Sequence, residues 1–185
     1  NEKWYIGATI GIPLINYESN TVFMESDTSA NTSNHFKQFT YTDNFKTKGT
    51  GGNVKIGIIY RPKDYIRLGL AIHTPTYMFL KDTRTTNLST AVENPVEFFN
   101  VSSQTFTNNQ PGEARYIQSS PFKAIISGSY VFREIQDVTK QKGFITADIE
   151  YVHHKGSRFS SDNEEVTEDE KQYYMELNKV VKADY

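Results

Sequence analysis

The clearest signal along the chain is a period of two. From Lys3 to Leu14, Trp4, Ile6, Ala8, Ile10 and Ile12 take alternate positions, with Tyr5, Gly7, Thr9 and Gly11 between them. Successive side chains of a strand point to opposite faces, so this spacing predicts a strand with one apolar face. Asn53 to Arg61 repeats the pattern with Val54, Ile56, Ile58 and Tyr60, and Tyr65 to His73 repeats it with Ile66, Leu68, Leu70 and Ile72. Pro62, Lys63 and Asp64 separate these two runs by a turn, which makes them a hairpin. A fourth run, Tyr116 to Phe132, carries Phe122, Ala124, Ile126, Gly128, Tyr130 and Phe132 on one face. A fifth, Gly143 to Val152, sets Ile145, Ala147, Ile149 and Tyr151 against Phe144, Thr146, Asp148, Glu150 and Val152.

The connections alternate in length. Pro62 to Asp64 and Arg133 to Lys142 are short, whereas 16–52, 74–115 and the stretch from His154 onward are long and polar. Short turns at one end and long loops at the other are the organisation of an outer-membrane β-barrel. Thr21 to Glu25 and Phe36 to Phe45 alternate weakly and are expected as strand extensions within the long stretches. Aromatics bracket the short turns: Tyr60 and Tyr65 at the first, Tyr130, Phe132 and Phe144 at the second, as in an aromatic girdle. A soluble antiparallel sheet with one buried face would show the same alternation, so periodicity leaves both readings open. Near the C-terminus the period changes. Thr167 followed by Glu170 is a capping box, and Tyr173, Leu177, Val180 and Val181 recur at helical spacing, predicting one amphipathic helix that ends near Ala183.

Composition narrows the function classes. The 185 residues include 12 Tyr and 12 Phe, a strand-forming palette. A net charge of −2 provides no global field for nucleic acid. The absence of cysteine removes disulfides, thiolate metal sites and cysteine nucleophiles together. No stretch reaches the roughly 18–20 apolar residues of a membrane helix, a limit that does not apply to strands.

Certain segments carry a family likeness. Gly51 to Leu80, Ser120 to Phe132 and Gly143 to Phe159 resemble the FadL/TodX family of outer-membrane transport proteins, above all its Bacteroidetes, hemin-receptor-like branch. The matching pieces are Gly-x-x-Tyr-Arg-Pro at Gly57 to Pro62, Arg-Leu-Gly-Leu at Arg67 to Leu70, and His-Thr-Pro at His73 to Pro75. Lys3 to Glu18 looks like a further strand of that family, and Glu170 to Tyr185 like its loop helix. The resemblance implies a monomeric barrel of about fourteen strands, plugged by an N-terminal hatch, that passes hydrophobic small molecules such as long-chain fatty acids or aromatic hydrocarbons across the outer membrane. The chain supplies about five membrane-length strands, too few to close a barrel. Residues 1–185 are therefore expected to be one internal portion of an all-β transmembrane barrel domain, with 16–52, 74–115 and 154–185 as extracellular loops. Its expected surroundings are outer-membrane lipid or detergent, with no cofactor and no nucleic acid.

Candidate chemistry is sparse. Lys55, Arg67, His73, Asp148 and Glu150 fall on the polar faces of their strands and are expected to line a lumen, where Lys55 and Arg67 would attract a carboxylate headgroup or pair with the acids. Asp148 and Glu150 form the only pair suggestive of a hydrolase, and a polar lumen explains them better. His153 and His154 are adjacent and would point to opposite faces of a strand, which disfavours a shared metal. Gly49, Gly51 and Gly52 lack the Gly-Lys-Ser/Thr of a phosphate loop. Asn31, Asn87 and Asn100 begin Asn-x-Ser/Thr sequons, which matter only in a eukaryotic secretory setting. Tyr77, Met78, Phe79, Leu80, Phe98 and Phe99 are apolar clusters in polar surroundings, and Tyr77, Phe79, Phe98 and Phe99 are the leading candidates for a ligand groove in the loops. No nucleophile, base and orienting group come together, so no catalytic residue and no metal site is expected. The rival reading is a soluble all-β binding or adhesion module, in which Ile56, Ile58, Leu68 and Leu70 would face a protein core.

Overall fold

A computed structural model describes residues 3–93, 95–132, 143–163 and 165–184. It is an antiparallel all-β fold with one helix. The strands are β1 (Trp4–Gly11), β2 (Leu14–Ser26), β3 (Phe36–Lys63), β4 (Ile66–His73), β5 (Tyr77–Val92), β6 (Glu97–Ser102), β7 (Gly112–Ser119), β8 (Phe122–Phe132), β9 (Gly143–His153) and β10 (Arg158–Ser161). The helix is α1 (Glu168–Ala183). The strands follow the hydrogen-bonded order β10-β7-β5-β3-β4-β8-β9, with β1 and β2 both on β3 and β6 on β5. Among the described residues β1 and β9 each pair on one side only, so the sheet is open.

The five predicted strands are all present. β3 and β4 form the hairpin with its turn at Lys63 to Ile66, although the run expected over Tyr116 to Phe132 is split at Ser120–Pro121 into β7 and β8. The stretches 16–52 and 74–115, expected as long loops with strand extensions, are mostly strand. At 28 residues β3 is about three times as long as the 9–11 residues a tilted strand needs to cross a bilayer. The short connection 133–142 lies outside the described residues.

The chain divides into two compact units: Asn1–Pro13, Thr50–Phe79 and Tyr116–Tyr185 form the first, Leu14–Gly49 and Leu80–Arg115 the second. In the first, the registers align the predicted apolar positions across all five strands. Ile6 faces Ile58, Ile58 faces Leu70, Leu70 faces Ile126 and Ile126 faces Ile149. Parallel rows run from Trp4 through Tyr60 to Leu68, and from Ala8 through Ile56 and Ile72 to Ala124 and Tyr151. No charged residue interrupts this face between Ala8 and Tyr60. Among the described residues no protein layer covers it: Ile6, Ile10 and Ile149 are 75%, 76% and 72% exposed. Aromatics gather at its turn end, where Trp4 stacks on Tyr60 at 4.3 Å between centroids and Tyr130 meets Tyr65 and Phe132 edge-on.

One line of residues marks where the first unit's ladder changes. Pro13 interrupts β1–β2, Pro75 interrupts β4–β5 and Pro121 interrupts β7–β8. By register Pro13 lies opposite Gly51 and Pro75 opposite Pro121, and Gly51 N–H donates to the Pro13 carbonyl at 2.9 Å. Proline has no N–H to donate, so side chains complete the bonding there. Thr74 Oγ1 accepts from the Val54 N–H, and Ser120 Oγ accepts from the Thr76 N–H. Gly51 is required: a Cβ at that position would stand 2.5 Å from the Tyr77 carbonyl oxygen.

The second unit is held by polar and aromatic contacts. Arg84 donates two bonds to Asp43, from Nε at 2.9 Å and from Nη2 at 2.7 Å, and this bond is the main cause of the lowered Asp43 pKa. Glu113 accepts from Lys81 and Arg115, which lower its pKa in that order. Tyr17 and Phe23 meet Phe45 and Phe39 across β2 and β3. At the β2–β3 turn the Asn31 side chain accepts from the Ser33 N–H, which gives this sequon asparagine a capping role.

Among the described residues the only buried hydrophobics are Leu80, Ala91 and Val131. The accessible surface is 13728 Å², against about 9,100 Å² for a water-soluble monomer of this mass. A protein core of the kind the soluble module needs is missing from the described residues.

Candidate functional site

The opposite face of the first unit carries the polar residues. Lys55 pairs with His73 and His73 with Lys123, so three nitrogen bases sit side by side on β3, β4 and β8. Lys123, which the sequence reading passed over, makes an ion pair with Glu150 at 2.9 Å. Asp148 stands opposite Ser127, and Arg67 opposite Ser129. All five residues expected in a lumen are thus on one face. Lys123 was findable from the same alternation, since it falls between Phe122 and Ala124.

Two residues along the strands from the basic row the surface drops. Gly7 faces Gly57, and Gly57 faces Ala71. A Cβ on Gly7 would meet nothing within 4 Å, and one on Gly57 would make only ordinary contacts at 3.8–3.9 Å. Neither glycine is therefore demanded by packing, although an interior strand glycine costs about 0.5–1 kcal/mol relative to alanine. Together with Tyr5, Ile59 and Ile125 they shape an apolar concavity of about 460 Å³. Mid-strand glycine of this kind marks a place where something approaches the backbone closely. The arrangement suits a ligand with an apolar body on the glycine floor and an anionic group about 7 Å away at Lys55 and His73, beside the Lys123–Glu150 pair.

The aromatic candidates are not loop residues. Tyr77 and Phe79 lie on β5, alternating with Met78 and the buried Leu80, and belong to the first unit. Phe98 and Phe99 lie on β6 of the second unit, opposite Ala91 and Thr90, and as neighbours on a strand they point to opposite faces. Phe98 and Phe99 therefore cannot line one groove together.

Among the described residues no three His, Asp or Glu side chains gather as a metal site. His153 Nδ1 is 3.3 Å from the Tyr151 hydroxyl, and His154 opens a 3-10 turn at the end of β9. Comparison of the chain with family models, with curated proteins and with solved structures gives no match.

Proposed function

We propose that this chain is the wall of an outer-membrane β-barrel that passes hydrophobic small molecules, in the manner of the FadL/TodX transporters it resembles. The observation that carries the reading is the five-strand apolar face, bare of protein and backed by a polar face with ion-paired charges. A water-soluble sheet buries such a face, whereas a barrel turns it to lipid and keeps its polar face inside. Strands of 8 to 11 residues, tilted about 40°, would cross about 20–28 Å, close to the apolar band of such barrels. In β3 the even-numbered positions are apolar from Val54 to Tyr60 and polar from Gln38 to Lys48, as expected of a strand leaving lipid for water. Backbone groups at an unpaired edge in lipid are costly, so the reading requires further strands beside β1 and β9. The glycine-floored concavity is the proposed contact for the passing molecule, a long-chain fatty acid or an aromatic hydrocarbon.

The chain lacks cysteine, so single introduced cysteines report cleanly. Spin labels placed in turn at residues 124 to 131 of the full-length protein in liposomes should alternate with period two. Even positions should respond to oxygen dissolved in lipid and odd positions to a water-soluble nickel reagent. Uniform access by the nickel reagent would overturn the reading and leave the soluble binding module in its place.

A further inference from the structure

Beyond the end of β9 the chain builds a second concavity. The 3-10 turn His154–Gly156 leads into β10, and the His153 ring lies over Gly156, where a Cβ would stand 2.9 Å from the ring. α1 packs against this turn and β10. Its contact is fixed by Asn178, whose side chain accepts from the Phe159 N–H at 2.7 Å and donates to the Phe159 carbonyl at 2.8 Å. Met175, Asn178, Lys179 and Lys182 fall at i, i+3, i+4 and i+7 and so share one helical face. Between that face and the turn lies a groove of about 520 Å³ whose lining includes four cations: Lys155, Arg158, Lys179 and Lys182.

Among the described residues no carboxylate lines the groove and none of the four cations is in an ion pair. Several cations elsewhere are neutralised: Lys46 pairs with Glu18, Lys123 with Glu150, Arg84 with Asp43, and both Lys81 and Arg115 with Glu113. Lys182, in the last turn of α1, is favoured by the helix dipole. Lys155, Arg158 and Lys179 have no such reason to crowd together. Like charges gathered in one groove repel unless an anion of more than one charge lies among them. Lysine and arginine together suit phosphate, which arginine grips with two parallel bonds.

Position selects the source of that phosphate. The apolar row on β9 ends at Tyr151, and Lys155 follows four residues later, at the end of the sheet remote from the β3–β4 turn. We infer that the groove between the 3-10 turn, β10 and α1 binds the phosphates of a multiply phosphorylated glycolipid headgroup in the outer leaflet. The inference rests on the barrel reading, because it needs the groove at the height of the headgroups.

The test uses the full-length protein in nanodiscs, with bis-phosphorylated lipid A, its dephosphorylated form and inorganic pyrophosphate as probes. The wild type should bind lipid A at least tenfold more tightly than the dephosphorylated form. The variant K155Q/R158Q/K179Q/K182Q should lose that preference, while K46Q, which removes a cation from the second unit, should keep it. If the quadruple variant does not insert, K155E and K179E separately should each weaken lipid A binding at least threefold. Equal affinity of the wild type for both lipids, or a preference that survives every groove substitution, would overturn the inference. Pyrophosphate that binds as tightly as lipid A and displaces it would assign the groove to soluble phosphate instead. Those results leave the barrel standing; a wild-type protein that never enters nanodiscs removes the barrel and the lipid source together.

Discussion

Glycines separate packing from function at the scale of single residues. Gly51 sits against the Tyr77 carbonyl, while Gly57 has room for a side chain. Gly51→Ala should therefore cost about 1–3 kcal/mol through forced displacement of backbone. Gly57→Ala should leave stability unchanged or raise it by about 0.5–1 kcal/mol, yet weaken binding of a hydrophobic ligand by narrowing the floor. Urea unfolding midpoints in detergent, with fluorescent fatty-acid titrations alongside, check both. Equal loss of stability from the two substitutions would remove the argument that Gly57 is kept open for a ligand.

α1 is the element whose sequence said most. Its capping box is complete: Thr167 Oγ1 accepts from the Glu170 N–H, and Glu170 Oε2 accepts from the Thr167 N–H. Thr167→Ala should cost about 1 kcal/mol of helix stability, read as roughly fivefold faster amide exchange over the first turn of α1. Its start and end were legible because a cap and an apolar stripe are both local. The strands of the first unit were legible for a similar reason: Trp4, Ile6, Ala8 and Ile10 give full contrast between two faces. The second unit was not. Gln38, Thr40, Thr42 and Asn44 alternate with Phe39, Tyr41, Asp43 and Phe45, so polar groups occur on both sides and the contrast fades. Strand formation there is settled by backbone pairing between distant segments, which hydropathy does not report. The same loss of contrast made Phe98 and Phe99 read as loop residues, and the register that separates their faces depends on β5.

For the whole molecule, the two units draw their stability from different sources, and pH acts on one of them through identifiable groups. Asp43 and Glu113 of the second unit have lowered pKa values, each through a hydrogen bond from a cation first of all. A carboxyl depressed in the folded state contributes stability that is complete above its unfolded value, about 4, and that disappears as pH falls through the folded value. The second unit should thus loosen on acidification below about pH 4. Carboxyl chemical shifts should show Asp43 titrating below the ordinary range, and Arg84→Gln should move its midpoint up. An unchanged midpoint would mean that the Arg84 pair does not persist in solution. Glu113 is exposed and Asp43 half-buried, so salt should weaken the effect more at Glu113 than at Asp43.

The line of Pro13, Gly51, Pro75 and Pro121 has a consequence for how such a molecule changes over time. Where ladder bonds are fewest, a strand pair tolerates insertion and deletion best, provided that residues are gained or lost in twos so that inward and outward positions keep their parity. The second-unit portions of β2, β3 and β5 would then be free to lengthen, shorten and diversify, while the apolar rows of the first unit keep their register. A boundary built from three prolines and a glycine would let the second unit vary in length while the register of the first stays fixed.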